Sequence, residues 1–261
     1  MRVATFNANS IRNRLETILE WLIENSCDII GIQETKCQDK DFPIEQITEA
    51  GFNCIYRGQK SFNGVAIISR HEMQENEFKI GDEILDQEAR FIKTKIGDVT
   101  FINTYVPQGQ EIDSLKFETK LKFLERLYSY LYENHDPMGK LILVGDINIA
   151  SRPQDVYDPQ VHWGGVGFNQ TEIDALDKIK SFGLYDTLAY IHGDKEGIFT
   201  FWDYRIPAAV RRKMGWRLDY VLVSKPMVEV CKNCYVDIEP RNKPKSSDHT
   251  FLVSDFDVNI Y

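Results

Sequence analysis

The sequence predicts an α/β chain in which sheet packs on sheet and helices lie outside. Three observations carry that expectation: strand-like runs recur along the whole chain, segments with helical spacing are few, and a hairpin signal joins two of the runs. The first strand covers residues 3–6, and a helix follows in which Ile11, Leu15, Ile18, Leu22 and Ile23 fall on one face. Short apolar runs at residues 28–33, 53–56 and 65–69 read as further strands. Residues 91–95 and 99–106 are strands joined by Gly97-Asp98, a dipeptide suited to a hairpin turn. A second helix places Phe117, Leu121, Leu124, Tyr128 and Leu131 on one face. After a strand at 141–144, a third helix starts near Thr171, with Asp174 as a capping-box acid. It carries Ile173, Leu176 and Ile179 and ends near Gly183. Strands at 218–223, 235–239 and 251–258 complete the set. No repeat, low-complexity tract or linker interrupts the 261 residues, so a single domain over 1–261 is expected.

Composition narrows the function classes. Hydrophobic residues make up 43% and charged residues 27%, the balance of a globular chain with a sizeable core. The first fourteen residues lack the apolar stretch of a secretion signal, and no apolar run approaches membrane-spanning length. The expectation is a cytoplasmic protein without a membrane partner. The five cysteines, an odd and sparse set, do not suggest a disulfide framework. Cys231 and Cys234 form a C-x-x-C, but no second pair completes a structural zinc site, and packed thiols are the expectation.

Acids outnumber bases 40 to 31, a formal charge of −9, which excludes a chain whose whole surface clings to nucleic acid. A local basic face remains open. Arg205, Arg211, Arg212, Lys213 and Arg217 cluster in one segment, with Trp202, Tyr204 and Trp216 interleaved. Solvated loop is the plain reading of such a run. The aromatic residues add the capacity to stack on bases or sugars while the charges meet phosphates. A second, shorter cluster is Arg241, Lys243 and Lys245.

Polar residues recur at the strand ends. Asn7, Glu34 and Tyr105 close three of the strands, Asp146 and Asn148 follow a fourth, and Asp219 and Asp248-His249 stand at the start of two more. A single acid past a strand end is ordinarily a turn residue. Repetition at so many apolar strands is harder to explain that way, since a buried strand gains nothing from a carboxylate at its tip unless the carboxylate has a partner. If the strands are neighbours, the tips converge on one cavity. An oxygen-rich set of this kind suits a hard cation such as magnesium or manganese, and one imidazole is too few for a typical zinc site.

The motifs carrying these residues resemble a known family. T-F-N-A-N-S lies at residues 5–10, Q-E-T-K at 33–36, Y-V-P-Q-G at 105–109, G-D-I-N-I-A at 145–150, W-R-L-D-Y at 216–220 and S-D-H at 247–249. In this order they resemble the exonuclease III family of apurinic/apyrimidinic endonucleases, within the endonuclease/exonuclease/phosphatase superfamily. The resemblance implies a four-layer α/β sandwich, two packed mixed sheets flanked by helices. It also implies a magnesium-dependent phosphodiesterase, with manganese able to substitute, acting as a monomer on duplex DNA at abasic sites or blocked 3′ ends. Three departures stand out: Ser10, the T-F-L that follows S-D-H, and Gly164-Gly165-Val166-Gly167 where many relatives present an asparagine to phosphate.

The roles below are what the resemblance implies. Glu34 would hold magnesium, with Asn7 and Asp248 in support. Asp146 would orient or deprotonate the attacking water, and Asn148 would fix that carboxylate or the phosphate. His249, oriented and kept cationic by Asp219, would donate to a phosphate oxygen, and Tyr105 would touch the scissile phosphate or the leaving oxygen. Phe201, Trp216 and Leu218 would line a pocket for the flipped abasic sugar, with Trp202, Arg205 and Arg212 completing the DNA contacts. Two alternatives remain at this point: a superfamily phosphoesterase acting on RNA, lipid or inositol phosphates, and a DNA-binding relative without catalysis.

Overall fold

A computed structural model describes residues 1–259. Its strands in chain order begin with β1 (Arg2–Asn7), β2 (Ile29–Gln33), β3 (Asn53–Arg57), β4 (Val65–Ser69), β5 (Gln74–Glu77) and β6 (Phe91–Ile96). They continue with β7 (Val99–Tyr105), β8 (Leu141–Asp146), β9 (Leu184–Asp186), β10 (Asp219–Ser224), β11 (Cys231–Asp237) and β12 (Phe251–Phe256). The helices are α1 (Ile11–Glu24), α2 (Ile44–Glu49), α3 (Leu115–Asn134), α4 (Pro159–His162), α5 (Gln170–Ser181), α6 (Thr187–His192), α7 (Lys225–Val228) and α8 (Glu239–Asn242).

The strands form two six-stranded mixed sheets, ordered β11-β12-β1-β2-β4-β3 and β5-β6-β7-β8-β10-β9. Each contains one parallel pair, β1–β2 in the first and β7–β8 in the second, and the other neighbours are antiparallel. A parallel pair needs a long crossover, and α1 and α3 supply it. The two sheets therefore share one topology, and the carboxyl ends of both parallel pairs lie beside the same cavity.

Three cores fill the layers. Between the sheets, Val3, Ile29, Val65 and Ile67 meet Phe101, Val144 and Val221. Outside the first sheet, Ile18, Trp21 and Leu22 of α1 cover Phe6, Ile30 and Phe251, with Phe251 stacked 4.2 Å from both Phe6 and Trp21. Outside the second, Phe123, Leu127 and Leu131 of α3 and Leu176 and Ile179 of α5 cover Ile102, Leu143 and Leu222. The sheets come close at Gly31, where a Cβ would sit 2.6 Å from Val144. Asn103 of β7 uses that closeness, donating to the Ile32 and Ala66 carbonyls at 2.9 Å each and so joining one sheet to the other.

Several elements depart from expectation. β5 is wholly exposed and reads Q-E-N-E, so no apolar periodicity marks it as an edge strand. β9 has three residues, and the short helices α2, α4, α6, α7 and α8 lack the length for a helical repeat to show. The last strand ends at Phe256 rather than at residue 258. Asn169, not Thr171, caps α5, accepting from the Glu172 amide at 3.1 Å, and Glu172 rather than Asp174 is the buried acid of that turn. Cys231 and Cys234 lie inside β11, where a register shift after Cys231 lets both face inward, as free thiols.

Candidate active site

Four strand ends from two sheets build the floor of the site. Asn7 ends β1, Glu34 follows β2, Tyr105 ends β7 and Asp146 ends β8. Asp219, the first residue of β10, lies opposite Asp146 in the antiparallel register. His249 reaches the same place from the segment before β12, bridged to Phe201 and held by its amide to Ser247 Oγ at 3.2 Å. Gly145 makes the approach possible, since a Cβ there would meet the Thr104 carbonyl at 1.9 Å.

The side chains form one connected web. Asn7 Nδ2 donates to Glu34 Oε1 and Asp146 Oδ2, both at 2.9 Å. Tyr105 OH donates to the same Glu34 oxygen at 2.8 Å. Asp146 Oδ1 accepts the Asn148 amide at 2.9 Å, and Asn148 Nδ2 donates to the Val106 carbonyl at 3.0 Å. His249 Nδ1 pairs with Asp219 Oδ2 at 2.8 Å, which turns Nε2 toward Asp146 Oδ2 at 3.7 Å. Glu34 and Asn148 sit at φ 51° and 56°, left-handed conformations held by these surrounding bonds.

The electrostatics follow from burial and pairing. Burial would lower the His249 pKa, but the charges of Asp219 and Asp146 and the Asp219 hydrogen bond raise it and keep the ring cationic. Asp146 is raised, by burial first and by Asp219 second, against the attraction of His249. Glu34 is lowered: burial opposes ionisation, yet bonds from Asn7 and Lys36 and the Lys36 charge outweigh it. Burial and the Glu34 and Asp146 charges hold Tyr105 well above the usual phenol range, so it stays a donor.

A cavity of about 370 Å³ opens above this floor. Glu34, Tyr105, Asp146, Asn148, Asp248 and His249 line it together with Phe201, Trp216 and Leu218, the Phe201 ring lying 4.9 Å from that of His249. The structure thus brings together most of the residues singled out in the sequence. Asn7 lies fully buried beneath the floor, and Asp219 sits behind His249 with its Oδ1 free of a protein partner.

The basic-aromatic segment divides. Arg205 lines the cavity, held by Asp203 through bonds of 2.6–3.0 Å. Arg212 is exposed outside the cavity. Trp202, expected at the substrate, is instead buried against Phe199 and Ala209, because the segment needs a small core of its own to fold back on the sandwich. Arg217, expected to meet phosphate, is fully buried. Its guanidinium clamps Asp155 at 3.0 Å through Nε and Nη2 and Asp186 at 2.7 Å through Nη1. It anchors the segment before β10 that presents Trp216 and Leu218.

Two contributors were not singled out in the sequence. Lys36 Nζ lies 2.6 Å from Glu34 Oε2 and 2.5 Å from Asn9 Oδ1, and Asn9 Nδ2 donates to Asp248 at 3.0 Å. Both stand inside the quoted motifs N-A-N and Q-E-T-K, so their proximity to the acids was the available signal. The wall also includes Tyr157 and His162, whose ring lies 5.0 Å from Trp216.

The donor set fits a divalent cation. Glu34, Asp146 and Asp248 line the cavity beside the His249 ring, with Asp219 behind the ring and Lys36 on Glu34, and added positive charge would favour the approach of an anionic phosphate. Asp146, Asp219 and His249 also present ligand atoms within 4.8 Å of one another, but Asp219 and His249 already satisfy each other there. Glu34 and Asp248 supply the oxygen atoms a hard ion takes, and here Asn7, Tyr105 and Lys36 hold the Glu34 oxygens.

Comparison with known proteins agrees with this geometry. The Endonuclease/Exonuclease/phosphatase family model matches residues 4–249. Exodeoxyribonuclease III of Haemophilus influenzae is 30% identical, covering 98% of this chain and 100% of its own length. The solved structure of an AP endonuclease from Archaeoglobus fulgidus superposes with a TM-score of 0.96 at 43% identity, over 99% of this chain and 100% of that one. That of a 3′ phosphatase from Neisseria, bound to a product DNA hairpin, gives 0.94 at 33% identity, over 99% and 100%.

Proposed function

The chain belongs to the endonuclease/exonuclease/phosphatase family, and from that premise we propose a magnesium-dependent DNA-repair phosphodiesterase that incises duplex DNA 5′ of abasic sites. The same site would remove 3′ phosphates and nucleotides from 3′ ends, as the names of its relatives state for them. One observation carries the reading: the His249–Asp219 pair and Asp146 share a cavity with the aromatic wall of Phe201 and Trp216. A wall of that kind admits a sugar without its base and rejects a full nucleotide by size.

Glu34 would hold magnesium, with Asp248 in support and Asn7 orienting Glu34 from beneath, manganese being able to replace the ion, which would neutralise phosphate charge. His249 Nε2–H faces the cavity because Nδ1–H is committed to Asp219, so it donates to a phosphate oxygen as negative charge builds there. Asp146, raised by burial, is suited to take a proton from the attacking water, and the Asn7 and Asn148 donors fix its two oxygens. Tyr105 OH, which donates to Glu34 Oε1 and lines the cavity, would turn to donate toward the phosphate or the leaving oxygen. Asn148 fixes the Asp146 carboxylate. The protein would work as a monomeric single domain in the cytoplasm, where its free thiols are at home; among the described residues no helix is long and apolar enough to cross a membrane.

Matched duplexes carrying an abasic analogue, a 3′-phosphate or a recessed 3′ end, each with magnesium, test the proposal. Incision 5′ of the abasic analogue supports it, and turnover of none of the three overturns it.

A further inference from the structure

We infer that the buried Lys120–Glu172 ion pair is a positioning device for the active site, holding Asn148 and the cavity-wall turn at Gly167 in place. The inference rests on the function proposed above for the residues it positions. Lys120 of α3 and Glu172 of α5 have fully buried side chains. Lys120 Nζ donates to the Asn148 carbonyl at 2.7 Å, to the Gln108 carbonyl at 3.3 Å and to Glu172 Oε1. Glu172 Oε2 accepts the Gly167 amide at 2.6 Å and the Asn169 side chain. One pair thus ties together the segments that follow β7 and β8 and the loop forming the cavity wall.

Each tie meets a residue that needs one. Asn148 is in the left-handed region at φ 56°, and its amide holds Asp146 Oδ1 at 2.9 Å, so the Lys120 bond to its carbonyl fixes the other face of the same peptide segment. Gly167 faces the substrate wall: a Cβ there would lie 3.5 Å from the Trp216 ring, and its carbonyl accepts the Ala150 amide at 2.7 Å. An ammonium carries three donors and reaches three acceptors from separate segments, which no apolar side chain of that size can do. Stability alone does not account for the pair, because well-packed apolar residues in place of a buried ion pair are often as stable or more so. The surplus is geometric.

Lys120→Met alone strands a buried carboxylate and is expected to fold poorly, so the informative protein is the double variant Lys120→Met/Glu172→Met. It should still unfold cooperatively, at a lower melting temperature than the parent because the Asn148 and Gln108 carbonyls and the Gly167 amide lose these partners. On the abasic duplex kcat should fall by about 100-fold, the scale of a small misplacement at a reacting centre, with KM changed less than about threefold. Hydrogen exchange should quicken over residues 147–150 and 165–169 and stay unchanged in the middle of α3. Whether the parent cuts the abasic duplex tests the function proposed above. The exchange pattern tests the pair whichever substrate is cleaved. Parent-like protection in those two segments, or a parent-like kcat in a folded double variant, overturns the inference.

Discussion

His249 donates to Asp219 on one side and faces Asp146 on the other, so its chemistry is a property of the group rather than of the ring. His249→Ala should cut kcat far more than KM, and Asp219→Ala should reproduce part of that loss. The double variant should lose much less than the sum, and a kinetic cycle on the abasic duplex checks it; additive losses would separate the two residues. Arg217 shows the opposite use of charge, since no substrate can reach it. Arg217→Met leaves Asp155 and Asp186 buried without their partner and should cost about 3–5 kcal/mol in urea unfolding. Burial opposes ionisation of Asp155, but Arg217 holds its pKa below the usual carboxylate value. Its contribution to stability is therefore full above the unfolded value, near ~3.9, and disappears as pH falls through the lower folded value. The stability gap between parent and Asp155→Asn should be large at neutral pH and close toward pH 3; a gap of constant size would contradict the pairing.

At the scale of elements, the proposed function divides segment 201–217 between binding and discrimination. Arg212→Ala, at an exposed charge, should weaken duplex binding about equally across sequences and lower the salt slope by roughly one. Trp216→Ala should leave the slope nearly unchanged and reduce discrimination between abasic and intact duplex by about five- to a hundredfold, the worth of one stacking contact. If binding titrations over a salt series show neither change, DNA lies elsewhere. The β7–β8 pair carries a different demand. Gly145→Ala would force a methyl into the Thr104 backbone, so it should lose both thermal stability and activity, unlike substitutions on the cavity floor. Strands such as β4, β8 and β10 were legible because both faces are buried and their apolar runs are nearly continuous. β5 was not, because an exposed edge strand has no face to mark, and α5 was read two residues late because its cap is an asparagine bonded into a buried network. Arg217 and Trp202 were misplaced for one reason. A residue's type in a basic, aromatic segment does not reveal whether the fold turns it toward solvent or into a local core.

At the scale of the whole molecule, the two sheets repeat one topology, and their parallel pairs deliver Asn7 and Glu34 from one side and Tyr105 and Asp146 from the other. That convergence was legible as polar residues at apolar strand ends, whereas the links that hold it together were not. Asn9, Lys36, Lys120 and Glu172 each reach at least one partner between 27 and 239 positions distant, a pairing that no local pattern encodes. The function proposed for this arrangement places a cation at the Glu34 end as the requirement for phosphodiester cleavage. The direct measurement is single-turnover incision of an abasic duplex by the parent and by Glu34→Ala, each with magnesium and with excess chelator, alongside melting temperature and duplex binding. The parent should cut only with magnesium. Glu34→Ala should melt near the parent temperature and still bind the duplex, yet cut slower by orders of magnitude. Incision at the parent rate in chelator, or by the folded variant, would contradict the assignment of this site.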